Sequence, residues 1–137
     1  MRIAVVFVPG RNRDKLLNIA KGLARGIEQQ GHQVDIVDGS RDVNTKLTIY
    51  EYICIGTEPI SSFGGKIPSR IGEFVGGAGI LVGKRSFAFV IKSGFSSMRA
   101  LTRLMKTMEG EGMFLKFSEI LLSPEEAVEI GKRLKIK

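Results

Sequence analysis

Apolar positions along this chain alternate between continuous runs and spacings of three and four. Arg2 to Val8 is an almost unbroken β-branched and aromatic run, which predicts a strand buried on both faces. Pro9-Gly10 breaks it. From Asp14 to about Gln30, Leu16, Ile19, Ala20, Leu23, Ala24 and Ile27 recur by three and four, predicting an amphipathic helix. Gly31 closes it as a left-handed cap residue does. Gln33 to Val37 alternates with period two and stops at Asp38-Gly39-Ser40. A short helical or coil segment is expected over about Asp42 to Leu47, and Tyr50 to Ile55 reads as the next buried strand.

The same rhythm continues to the end. Pro68 to about Val75 predicts a short helix with Ile71, Phe74 and Val75 on one side, terminated by Gly76-Gly77-Ala78-Gly79. Ser86 to Ile91 is a fourth strand. Met98 to about Glu111 is helical, with Leu101, Leu104, Met105 and Met108 in phase and Gly112 as the stop. Phe114 to Leu121 is a fifth strand. Ser123-Pro124-Glu125-Glu126 combines an N-cap serine, a proline at the first helical position and acids in the first turn, so a last helix runs to about Leu134.

Strands alternating with helical connections pair in parallel through right-handed crossovers, which gives a single three-layer α/β sandwich. Five strands in a doubly wound sheet predict the order 2-1-3-4-5, with a crevice where strand 1 meets strand 3. The loops Pro9–Asp14, Thr57–Pro68 and Lys92–Ser97 then converge on the carboxyl edge. The second of these, Gly-Thr-Glu-Pro-Ile-Ser-Ser-Phe-Gly-Gly-Lys-Ile-Pro from Gly56 to Pro68, offers a hydroxyl, a bend, an aromatic face and close backbone approach.

At 137 residues the chain is long enough for one self-sufficient core. No run approaches the roughly 18 apolar residues of a membrane span. The first apolar stretch is too short for a signal peptide, and a lone cysteine forms no internal disulfide, so the expected location is cytoplasmic. Charge is less ordinary: the net value is +7 and the pI about 9.8. Residues 81–110 carry six basic side chains against Glu109 alone. Such a surface either keeps the protein dispersed or attracts an anionic ligand or acidic partner. Nothing in the pattern resembles an RNA-recognition consensus or a zinc knuckle, so nucleic acid is not the expected partner.

Catalytic constellations are absent. His32, the only histidine, falls in a turn away from the crevice, and no metal set assembles around it. Cys54 sits mid-strand among isoleucines, where burial makes a thiol inert. The glycines at 76–79 follow a helix and lack dinucleotide-loop spacing. No nucleophile–base pair supports a hydrolase.

The three crevice loops carry a family resemblance that spans the chain. Ile55-Gly56-Thr57, Pro59-Ile60, Phe63-Gly64 and Pro68 are similar to the third-strand loop of flavodoxins and flavodoxin-like FMN reductases, with Glu58 and one or two serines standing as insertions. Val90-Ile-Lys-Ser-Gly94 and the helix after it are similar to that family's second flavin loop. The resemblance implies FMN as cofactor, electron transfer as function, and flavin contacts from Thr57, Glu58, Pro59, Ile60, Ser61, Ser62, Phe63, Gly64, Ser93, Gly94, Phe95 and Ser96. It also implies that Gly10, Arg11, Asn12 and Arg13 meet the phosphate.

That phosphate turn departs from the family pattern. Flavodoxins use a hydroxyl-rich turn at a helix N-terminus; Val8 to Asp14 here holds no Ser or Thr, and Pro9 removes an amide donor. Arg11 and Arg13 form an anion clamp on one reading and a solvated loop on the other. Asp14, at the helix start, would occupy the amides as a cap and repel a dianion. Two functions follow: an FMN electron carrier whose partner presents an acidic face, or a non-redox module whose basic crevice takes an anion or a protein surface.

Overall fold

The structure, a computed structural model, describes residues 1–137. Its elements run β1 (Arg2–Val8), α1 (Arg13–Glu28), β2 (Gln33–Asp38), β3 (Tyr52–Thr57), α2 (Arg70–Gly76), β4 (Arg85–Ile91), α3 (Ser97–Gly110), β5 (Phe114–Leu121) and α4 (Pro124–Arg133). All strand pairs are parallel and the sheet order is β2-β1-β3-β4-β5, as the alternation of runs and helical spacings predicts. No helix is long and apolar enough to cross a membrane.

Strand side chains point alternately to the two faces, and each face has its own core. Ile3, Val5, Phe7, Tyr52, Cys54, Phe87 and Phe89 pack under Leu16, Ile19 and Leu23 of α1 and Ala127 of α4. Ala4, Val6, Val8, Ile53, Ile55, Ala88 and Val90 pack under Phe74 of α2 and Leu101, Leu104 and Met108 of α3. Each large side chain removed from water on this scale contributes roughly 1.5–3 kcal/mol. Cys54 is fully buried, and burial pushes its thiol pKa up.

Two glycines set the spacing of one helical layer. A Cβ on Gly26 of α1 would stand 2.9 Å from the Gly131 Cα, and one on Gly131 of α4 would stand 2.5 Å from the Leu23 carbonyl oxygen. The two helices therefore touch backbone to backbone. Gln30 locks the far end, its Nε2 donating to the carbonyls of Gly131 and Leu134 at 2.6 and 2.9 Å.

The connection from β2 to β3 contains no helix, contrary to the helix-bearing alternation expected there. Asp42 N donates to the Asp38 carbonyl and Thr45 N to the Asp42 carbonyl, so the segment is a chain of turns. Its composition explains this: Asp42, Asn44 and Thr45 compete for backbone bonds, and only Leu47 and Tyr50 bury. Tyr50 lies before the strand rather than in it. Its hydroxyl donates to Asp35 Oδ2 at 2.8 Å, and burial with this bond pushes its pKa up to about 12. The helix-start expectation for Asp14 is also corrected: Asn12 is the N-cap, its Oδ1 accepting from Lys15 N at 3.1 Å.

Candidate functional site

Strands β1, β3 and β4 end side by side, and short hydrogen bonds stitch their following loops together. The Thr57 hydroxyl, fully buried, donates to the Val8 carbonyl at 2.6 Å and ties the last residues of β3 and β1. Ile60 N donates to the Lys66 carbonyl at 2.8 Å and closes the neck of the loop after β3. Inside that loop the Ser61 hydroxyl donates to the Phe63 carbonyl and accepts from Lys66 N. The buried Ser96 hydroxyl reaches across from the loop after β4 and donates to the Ser61 carbonyl at 2.7 Å. Gly65 has a left-handed backbone, and a Cβ there would stand 2.5 Å from Ala100 N, so this loop rests directly on the start of α3.

This stitching brings two aromatic rings into register. Phe63 and Phe95 come from different loops, yet their rings are parallel within 3° with centroids 6.0 Å apart. They are 72% and 86% exposed, and Met98 beside them in sequence is 63% exposed. Exposed aromatics normally contribute little to folding, so an aligned pair at the rim of a sheet edge is a surface prepared for something flat or apolar. The exposed cations Lys66, Lys92 and Arg99 belong to the same loops and the helix start beside them, and none forms an ion pair.

The other end of the site is built around a carboxylate. Glu58 is only 4% exposed, and one of its oxygens, Oε1, accepts from Gly10 N at 2.8 Å and from Asn12 N at 2.6 Å. These amides precede α1, where a helix offers unpaired donors and the positive end of its dipole. Gly10 makes room for this: a Cβ there would stand 2.5 Å from Ile60 Cγ2 and 3.2 Å from Glu58 Cγ. A residue that looks like an insertion in the sequence is thus the anion on this turn. A hydroxyl-free turn after one strand and an extra carboxyl after its neighbour were the only signals that pointed to it.

Of the two arginines beside that turn, Arg13 is engaged elsewhere. Arg13 Nη2 donates to Asp38 Oδ2 at 2.6 Å, and its guanidinium lies over the Phe7 ring at 5.3 Å. Its Nε is buried without a partner. Arg11 is exposed and makes no ion pair. Asp38 also accepts from the amide and hydroxyl of Ser40 at 2.9 and 2.6 Å. Burial alone would raise its pKa; the Ser40 and Arg13 bonds outweigh it and hold the carboxyl below its usual range.

Of the residues expected at the site, Gly10 and Asn12 meet Glu58, Ser61 meets Ser96, and Phe63 meets Phe95. Thr57 turns its hydroxyl inward, and Ser93 N is taken by the Ser97 hydroxyl at 2.9 Å. Pro59 is buried while Ser62 and Gly94 face solvent. Phe63 and Phe95 therefore present flat apolar faces to solvent at one end of the crevice. In the turn before α1 a carboxylate already holds the Gly10 and Asn12 amides, which opposes a phosphate there.

No protein-family model and no curated protein matches this sequence. Solved structures do match in fold. Flavodoxin 1 from Bacillus cereus superposes with a TM-score of 0.75 at 16% identity, covering 98% of this chain and all of that one. A short-chain flavodoxin associated with a PDU bacterial microcompartment gives 0.73 at 14%, covering 97% and 93% of the two chains. A flavodoxin from the domain Archaea gives 0.66 at 17%, covering 97% and 94%. At these identities the likeness establishes the fold: the chain has the flavodoxin architecture over essentially its full length.

Proposed function

We propose that the carboxyl-edge crevice binds a flavin through its isoalloxazine ring and that the protein passes electrons to a partner with an acidic face. The observation that carries this reading is the parallel, exposed pair Phe63 and Phe95, set where the flavodoxin fold gathers its crevice loops. A bound flavin supplies one- and two-electron redox chemistry; the protein supplies the seat and its field. A ring between the two phenyl groups needs two van der Waals layers, about 7 Å between their planes, which exceeds even the 6.0 Å between their centroids, so the rings must part to admit it. Gly64 and Gly94, both with left-handed backbones and open space around them, flank the aromatics and accommodate that movement. The unpaired Lys66, Lys92 and Arg99 favour a negatively charged ring and an acidic docking surface.

FMN is the flavin that the family resemblance implies, and the ring end accommodates it; the turn before α1 does not favour its phosphate. Equilibrium dialysis of purified protein against lumiflavin, riboflavin and FMN at low salt tests the reading. Binding of the ring in the micromolar range, weakened by loss of either phenylalanine, is expected. Absence of binding by all three at high micromolar concentration defeats it. The alternative is then a non-redox module. The observation favouring it is the same carboxylate, which completes the turn without any cofactor. On that reading Phe63, Phe95 and Met98 with their surrounding cations take an acidic protein surface directly.

A further inference from the structure

We propose that Glu58 is a resident substitute for a ligand phosphate, and that it sets the specificity of the crevice for flavins that lack a terminal phosphate. The inference takes its ligand class from the flavin reading above; the assignment of Glu58 itself does not depend on it. Four observations converge. Two amides of the turn, Gly10 N and Asn12 N, point to one oxygen of a carboxyl group from another loop, at distances typical of charge-assisted bonds. That side chain is buried, so its position is enforced by packing rather than by solvent-exposed chance. Gly10 is the residue type that the arrangement requires, because a Cβ there would overlap Ile60 and crowd Glu58. Finally, the turn keeps only one of its two arginines for an anion: Arg11 is unpaired, but Arg13 is bound to Asp38, and Asp14 adds a negative group in the first turn of α1.

A phosphate dianion arriving at this turn meets a carboxylate already bound to its donors. It must either break the two hydrogen bonds that Glu58 makes or sit against a like charge, and both lower its affinity. Riboflavin brings the same ring and ribityl chain without that conflict. The fold keeps the anion-binding amides, and the chain supplies the anion.

The test uses the full chain as wild type, Glu58→Ala and Glu58→Gln. Dissociation constants for riboflavin and FMN are measured by equilibrium dialysis, and melting temperature is followed with added inorganic phosphate against chloride of equal ionic strength. Wild type should bind riboflavin at least tenfold more tightly than FMN and show no phosphate-specific stabilisation. Glu58→Ala empties the amides, so it should reverse the preference and gain a phosphate-dependent rise in melting temperature. Glu58→Gln keeps an acceptor on the amides without charge and should narrow the gap without reversing it. Amide proton shifts of Gly10 and Asn12, compared between wild type and Glu58→Gln, keep the assignment testable if Glu58→Ala does not fold: both should move together when the charge on their shared acceptor is removed. Tighter binding of FMN than riboflavin by wild type overturns the specificity claim. If no protein binds flavin but Glu58→Ala binds phosphate, the flavin reading fails while the resident anion stands. If Glu58→Ala folds but gains no phosphate response, or the two amide shifts are unmoved in Glu58→Gln, Glu58 is not the resident anion.

Discussion

Arg13, at the start of α1, and Asp38, at the end of β2, are joined at 2.6 Å, the guanidinium one-third exposed and the carboxyl almost fully buried. The pair commits an arginine that would otherwise be free for a ligand, and it makes the protein sensitive to acid. The Asp38 pKa is lowered by folding, so its contribution to stability is complete above its ordinary value near 3.8 and is lost as pH falls through the lower folded-state value. Chemical denaturation between pH 6 and about 2 should show this loss. Asp38→Asn should be less stable at pH 6, with a flatter decline below pH 4. An unchanged acid slope in the variant would show that Asp38 does not titrate as its partners require.

The contact between α1 and α4 predicts a contrast among glycines. Gly26→Ala and Gly131→Ala each push a methyl group into backbone, which cannot swing aside, and should destabilise by about 1–3 kcal/mol or more. Gly72→Ala, in α2 with open space around the new methyl, should instead stabilise by about 0.5–1 kcal/mol through helix propensity. Urea midpoints of the three variants check both signs. Equal effects at all three positions would mean that the helices are not in backbone contact.

Cys54 should resist modification. Its thiol lies mid-strand with no exposure, and burial holds the proton on the sulfur. A water-soluble thiol reagent should label less than one-tenth of the native protein in the time that labels the urea-unfolded chain completely. Rapid labelling of the native state would place β3 at a surface, against the packing found.

The success of the sequence reading follows local signals. β5 spans Phe114–Leu121 as its pattern predicts, because Gly112 and Ser123-Pro124 punctuate both ends. The strand order follows from the alternation of runs and helical spacings, since crossover handedness leaves few alternatives. The stretch from Asp42 to Leu47 was ambiguous because two buried side chains anchor a string of turns as readily as a short helix. Glu58 was named at the site, but its role on the turn before α1 was hidden for a different reason. Its partners lie 48 and 46 residues earlier, and only the pairing of β1 with β3 turns an apparent insertion into the group that caps another loop. Arg11 and Arg13 suggested an anion clamp by type, but Asp38 at the end of the neighbouring strand competes for Arg13, and no one-dimensional pattern reveals that competition.

The aromatic pair separates stability from binding. Phe63 and Phe95 are so exposed that truncating either should change folding stability by no more than about 0.5 kcal/mol. Their stacking is weak support for the loops, because two rings at 6.0 Å in water gain little that solvent does not replace. A flat ligand seated on them removes both faces from water, and each aromatic contact is then worth roughly 0.5–1.5 kcal/mol, or about two- to tenfold in affinity. Phe63→Ala and Phe95→Ala should therefore leave the urea midpoint nearly unchanged while weakening riboflavin binding by that factor, and Phe63→Leu should retain burial but lose part of the stacking. A double-mutant cycle distinguishes the two seats: a ring held between the phenyl groups loses most of its gain with the first truncation, giving strong coupling, whereas a ring on the outer face of one of them depends on that residue alone. Variants that lose stability and affinity in proportion would mean that the pair holds the loops together, and that the flat ligand belongs elsewhere.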